Sequence, residues 1–280
     1  MSPLSRNELS IVLAPERVSL LRAERRLTLR GYARSICDRK SVPCGIDGGG
    51  EMPWSGAIAA LEAVLPSVAE RSMEVNVILS NHFMQYVLVP WFDKLTDKEE
   101  LALAQHCFAE MYGNDAESLS VRVSPGRAGV AALASAVDIR LLEELGGLLG
   151  RMELDLKSVQ PHLMVAYNSC RDRLADCSAW VALMEPRGLC LAALQKGELA
   201  WIRKLRIGDD WHRELPAILE RETYLVDAGA EMDEVLLWAP HLAEMNIPTG
   251  RRWKFQQLKP GEKSGSGPEH TGLHALEMGL

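Results

Sequence analysis

MEVNVILSNHFMQYVLVPW, residues 73–91, is two apolar runs hinged on a polar knot, Ser80-Asn81-His82. In the first run Met73, Val75, Val77 and Leu79 alternate with Glu74 and Asn76, the period-two pattern of a half-covered strand. The second run, Met84 to Trp91, is apolar on both faces apart from Gln85, which suits a strand inside a sheet covered by helices. Pro90 cannot donate to a ladder and should end that strand. A simple hairpin would use Asn-Gly or Asp-Gly where the knot stands. The plainest reading of the knot is a turn with a capped strand end.

Working outward, the 280 residues suffice for one large domain or for two lobes with sizeable cores. Apolar residues at 47% and charged residues at 25% place the chain among globular proteins. The net charge of −7 argues against nucleic acid as a partner. The charge is uneven. Residues 1–40 carry nine Lys/Arg against four acids, a local +5 that leaves −12 for the remainder. Solvated strand faces explain that excess, and a basic edge facing an anionic membrane leaflet is the alternative. The opening MSPLSRNELS lacks the apolar core of a secretory signal. No 18-residue window is apolar and free of charge, so no membrane span is expected. Six cysteines show no CxxC and no zinc spacing, which fits reduced thiols in a cytoplasmic protein.

In chain order, Leu9–Ala14 and Val18–Ala23 read as strands around a Pro15-Glu16 turn, and Arg26–Tyr32 as a third. Residues 35–54 read as a loop rich in Gly, Pro and Cys. A helix over Gly56–Glu70 should kink at Pro66. Thr96 and Glu99 fit a capping box before a helix to Met111, ended by Gly113. Strands follow at 119–123 and 130–134, a helix at 138–149, a strand at 154–159 and a helix from His162 to Leu174. A second strand group occupies 180–184, 189–194 and 199–207. A helix at 210–224 and strands at 234–239 and 253–258 complete the pattern. Three antiparallel strands, then helix, strand, helix, strand therefore occurs twice, which points to two similar α/β lobes with mixed sheets flanked by helices. The expected division is 1–156, 157–258 and a Gly/Ser-rich disordered tail at 259–280.

That order resembles the two-lobed actin-like fold, a duplicated ribonuclease-H-like architecture. LSNHFMQYVLVPW (79–91), VQPHLMVAYN (159–168) and GELAWIRKLRI (197–207) resemble one bacterial branch of it. These are the cytoplasmic actin-like proteins of type IV pilus and type II secretion inner-membrane platforms, the PilM, GspL and MshI group. The resemblance implies a scaffold recruited to the cytoplasmic face of the inner membrane. It would dock the cytoplasmic segment of a PilN-like or GspM-like bitopic membrane protein, and a motor ATPase. The absence of a membrane span in this sequence fits a PilM-type arrangement.

The residues that would carry ATP chemistry are missing. An actin-like ATPase offers Asp-x-Gly turns to phosphates and Mg²⁺ in both lobes. Here the corresponding hairpins read IVLAPERVSLL (11–21) and VALMEPRGLCL (181–191). Glu16 and Glu185 are their only carboxylates and read as turn residues. No catalytic residue, cofactor or metal is expected, and the protein reads as a pseudo-ATPase. An active actin-like ATPase or small-molecule kinase with an atypical site is the competing class. Asp47-Gly48-Gly49-Gly50 imitates a phosphate loop but is neither preceded by an apolar strand nor part of a Walker motif. The histidines lack ligand spacing. What remains is surface. Asn81, His82, Tyr86, Trp91 and Phe92 combine polar groups with aromatics at a strand end, and are the candidate partner-binding residues. Against this stands the ordinary fate of a tryptophan, with Trp91 packed under the next helix.

Overall fold

The computed structural model describes residues 5–28, 31–45, 52–124, 126–226, 232–239 and 252–258. The chain opens with strands β1 (Ser5–Leu13), β2 (Arg17–Thr28) and β3 (Gly31–Pro43), helix α1 (Ser55–Val64) and strand β4 (Glu74–Leu79). An insertion follows, made of β5 (Met84–Val89), α2 (Asp97–Tyr112), β6 (Leu119–Val123) and β7 (Ala132–Asp138). Next come α3 (Ile139–Arg151), β8 (Asp155–Pro161), α4 (His162–Ser169) and the single turn α5 (Arg171–Leu174). The last group is β9 (Ala179–Glu185), β10 (Gly188–Gln195), β11 (Glu198–Arg206), α6 (Trp211–Thr223), β12 (Glu234–Trp238) and β13 (Lys254–Gln257).

Two five-stranded sheets share one plan. Their orders are β3-β2-β1-β4-β8 and β11-β10-β9-β12-β13. In the first, β1 is antiparallel to β2, β2 to β3, and β1, β4 and β8 run parallel. In the second, β9, β10 and β11 are antiparallel neighbours, while β9, β12 and β13 run parallel. Each first hairpin closes through a two-residue loop that begins with proline, Pro15-Glu16 and Pro186-Arg187. Proline presets φ for the first corner of such a turn, and Arg187 takes a positive φ of 58° at the second.

Burial follows the alternation. On β4 the residues Val75, Val77 and Leu79 are fully buried, and Glu74 and Asn76 are half-buried. The β1 residues Leu9 to Leu13 are all buried, so this sheet is covered on both faces. Helix α1 packs on β2 and β3, and α4 on β4 and β8. In the second sheet Trp180, Ala182, Leu191 and Leu237 join Leu215 and Leu219 of α6 in one core cluster. The Trp180 ring meets Trp201 edge-on at 5.6 Å.

Several sequence expectations are corrected. The second run, Met84–Val89, is an edge strand of a three-stranded sheet where a strand inside a sheet was expected. β4 lies between β1 and β8, while β5 pairs with β7 in a separate sheet of order β5-β7-β6. Arg17–Thr28 is one strand where two were expected, and β3 runs to Pro43 through the expected loop. Its Ser35–Pro43 stretch is an outermost edge, exposed or half-exposed throughout, so it carries no apolar alternation that would reveal it. The helix after Pro161 breaks at Cys170. Pro66 sits in a 3₁₀ turn, Leu65–Ser67, after α1 has ended.

Compactness also divides the chain differently from a single boundary at 156/157. One unit comprises the described residues up to Phe83 together with Arg140–Ser169. The other comprises Met84–Ile139 with the described residues from Cys170 on. β8 spans the expected boundary yet belongs wholly to the first sheet, through its parallel ladder with β4 from Glu74↔Asp155 to Leu79↔Pro161. The Asp47–Gly50 loop and the 259–280 tail lie outside the described residues.

Candidate partner-docking site

The five candidate residues fall into the two units. Asn81 and His82 lie in a 3₁₀ turn, Asn81–Phe83, at the end of β4. Tyr86, Trp91 and Phe92 belong to the inserted sheet and the loop behind it.

The polar knot is a structural fastening. The Ser80 N–H donates to the Leu13 carbonyl at 2.9 Å, tying the ends of β4 and β1. The Ser80 hydroxyl accepts from the His82 N–H at 3.2 Å. The Asn81 carboxamide oxygen accepts from the Leu163 N–H at 3.3 Å, in the first turn of α4. Helix starts leave their first N–H groups without intrahelical partners, and Asn81 satisfies one of them. Asn81 is only 4% exposed, so it offers a partner no surface. His82 is exposed.

Tyr86 is buried as well. Around it sit Glu185 at the end of β9, Cys190 of β10 and Lys204 of β11. Burial first, then the charges of Cys190 and Glu185, pushes its phenol well above the ordinary 10.0. Burial likewise raises the Cys190 thiol far above 9.0. Burial holds the Lys204 ammonium below its usual 10.5, against the opposing pull of Cys190 and Glu185. The Lys204 Nζ donates to the Met84 carbonyl, and the Tyr112 phenol is hydrogen-bonded to the Tyr86 backbone. β5 therefore lies beside β11, with side chains filling the seam. Sequence reading missed this cluster. Its one sequence signal was Glu185 at the end of an otherwise apolar run, while Lys204 is hidden among the charges of Arg203 and Arg206.

Trp91 and Phe92 are exposed, at 46% and 56%, so Trp91 does not pack under the next helix. They lie in the loop between β5 and α2 with Leu95, which is also exposed. The Thr96–Glu99 capping box anchors the far end of that loop. The Thr96 hydroxyl accepts from the Glu99 N–H, and the Glu99 carboxylate accepts from the Thr96 N–H at 2.8 Å. The Thr96 N–H and then the Thr96 hydroxyl, both donating to the carboxylate, hold the Glu99 carboxyl below its ordinary range. α2 buries only Ala104 and Phe108, at its centre, so the apolar residues at its leading end stay open to solvent.

Both first-hairpin loops begin with proline. Pro15 and Pro186 have no N–H to offer an anion. Glu16 is exposed in its loop and Glu185 is buried at the end of β9. Among the described residues no three His, Cys, Asp or Glu side chains converge as metal ligands. Among the same residues no helix is long and apolar enough to cross a membrane.

The repeated sheet plan is that of the actin-like fold. Solved structures match this chain over 82–97% of its length. The cytoplasmic domain of EpsL, an inner-membrane component of the type II secretion system of Vibrio cholerae, matches with a TM-score of 0.56 and 14% identity, over 97% of this chain and 94% of that one. The PilM–PilN type IV pilus biogenesis complex matches with a TM-score of 0.58 and 14% identity, over 82% and 80% of the two chains. A Bacteroides thetaiotaomicron protein with an actin-like ATPase fold and unknown function matches with a TM-score of 0.54 and 14% identity, over 84% and 82%. No family model matches the sequence, and no curated protein matches it.

Proposed function

We propose that this protein is a non-catalytic scaffold of an inner-membrane assembly platform of the type II secretion or type IV pilus kind. It works at the cytoplasmic face of the inner membrane. It docks the cytoplasmic segment of a PilN-like or GspM-like bitopic membrane protein, and the motor ATPase of the same machine. The observation that carries this reading is the match to the EpsL cytoplasmic domain over nearly the whole of both chains. The similarity to PilM, solved with PilN, supports a membrane-protein segment as the docked partner. Trp91 and Phe92 are the exposed anchors on which we place that contact. The proline loops support the non-catalytic part, because each opens on a proline without an N–H and neither holds the Asp-x-Gly that offers donors and Mg²⁺ ligands to a phosphate.

Two measurements test the reading. Calorimetric titration with Mg-ATP should show no saturable heat up to about millimolar nucleotide. Mg²⁺-dependent binding at that level would favour the competing reading, an active actin-like ATPase or small-molecule kinase. Affinity capture from the native cell should recover a bitopic inner-membrane protein with the wild type and lose it with a Trp91→Ala, Phe92→Ala double variant. Equal recovery by both removes this surface from the docking site.

A further inference from the structure

The inserted sheet has two edges, and they are treated differently. β7 is its central strand, so the open edges belong to β5 and β6. The Ser124 N–H donates to the Leu133 carbonyl at 2.8 Å, and these two residues continue the β6–β7 register. In an antiparallel ladder hydrogen-bonded and non-bonded pairs alternate. Arg122↔Ser135 and Ser120↔Val137 are therefore bonded pairs. The backbone N–H and C=O groups of Leu119, Val121 and Val123 point away from β7. By the same alternation, Met84, Tyr86 and Leu88 present their backbone groups on the outer edge of β5. That edge is closed, since Lys204 fills the Met84 carbonyl and Tyr112 bonds the Tyr86 backbone.

Among the described residues the edge of β6 has no such plug. Among the described residues its only ladder partner is β7. Nor does it carry the usual devices against strand addition, which are lysine, proline, inward charge or very short length. The other edges carry them: Lys40 and Pro43 on β3, Lys157 and Pro161 on β8, and four residues with Lys254 on β13. On β6 the one charge is Arg122, exposed on the face away from α2. Leu119, Val121 and Val123 pack on the α2 core around Phe108 but remain half-exposed along the open side.

We propose that β6 receives an extended segment of a partner protein as a fourth strand of the inserted sheet. The occupant has apolar side chains at alternate positions, extending the row formed by Leu119, Val121 and Val123 over the α2 face. On the other face it sets a carboxylate beside Arg122, as opposite charges pair across neighbouring strands. This surface is independent of Trp91 and Phe92, and its failure would leave the scaffold reading intact.

The test is an array of hexapeptides carrying valine at alternate positions and Asp, Lys or Thr between them, probed with the full-length protein. Tight members should carry Asp on the face shared with Arg122. Val121→Pro should keep the fold, because the Val121 N–H makes no bond to β7, yet weaken the tightest members at least about tenfold. A second arm does not depend on the variant folding. Methylating the amides of the bound peptide that face β6 should cost at least about tenfold in affinity. Methylating the alternate amides should change it by less than about twofold. An array with no member bound by the wild type overturns the proposal, as does equal weakening by the two methylation patterns. A dimer of the wild type that Val121→Pro dissociates would also overturn it, since the edge would then be filled by a second copy of the same strand.

Discussion

At the scale of single residues, the candidate site separates into fasteners and a free surface. Asn81 is a fastener. Asn81→Ala should leave a buried N–H of α4 without its acceptor, at a cost of about 1–3 kcal/mol, and lower the melting temperature without touching partner affinity. Trp91 is the opposite case. Its exposure predicts that Trp91→Ala leaves the melting temperature nearly unchanged, while partner binding weakens by about 2 kcal/mol or more. A stability loss of about 3–5 kcal/mol, the signature of an emptied core position, would overturn that assignment. Sequence order put Asn81, Tyr86 and Trp91 in one short stretch, and residue chemistry alone could not separate them. Both Asn81 and Tyr86 are polar-tipped groups that a surface or a buried network can use equally well. The chain moves from one compact unit to the other at Phe83–Met84, and no local pattern marks that step.

Among elements, the strands with buried faces were legible and the long outer edge β3 was not. β4 and β9 announce themselves because burial forces apolar residues onto defined positions. β3 is solvated on much of its surface, so its Cys37-Asp38-Arg39-Lys40 run imitates a loop. The Thr96–Glu99 capping box was readable because its two hydrogen bonds lie within one turn of chain. The seam between β5 and β11 was not, since it joins residues far apart in sequence. That seam should show in alkaline titration. Tyr86 and Cys190 have folded-state values above their unfolded 10.0 and 9.0, so their contribution is intact below about pH 9 and is lost as pH rises. Lys204 has the reverse sign. Its value is depressed below 10.5, so its contribution is complete above that value and is lost as pH falls through the depressed value. Relative to wild type, Tyr86→Phe should therefore gain stability progressively from about pH 9 to about pH 11 in denaturant titrations. A constant difference across that range would remove Tyr86 from the buried cluster.

For the whole molecule, the two compact units predict two unfolding events rather than one. Leu61→Ala, in the α1 core of the first unit, should lower one calorimetric transition. Leu219→Ala, in the α6 core of the second, should lower the other, each by about 2–5 kcal/mol. A single transition shifted equally by both variants would show that the units unfold as one. The duplicated sheet plan was legible, because element order survives where sequence identity does not. The interleaving of the units was not, because it depends on which sheet an insertion joins.

That interleaving sets a schedule for synthesis. β5 emerges from the ribosome at residue 84, and Lys204, which caps its outer edge, follows roughly 120 residues later. At about 5–20 residues per second the gap is on the order of ten seconds. Through that interval a nascent chain carries Met84-Gln85-Tyr86-Val87-Leu88-Val89 with its outer edge uncapped, even after its ladder partner β7 has been made. This strand is thus a natural client for ribosome-bound chaperones, and slowed translation between codons 90 and 200 should lower the yield of native protein more than slowing after codon 210.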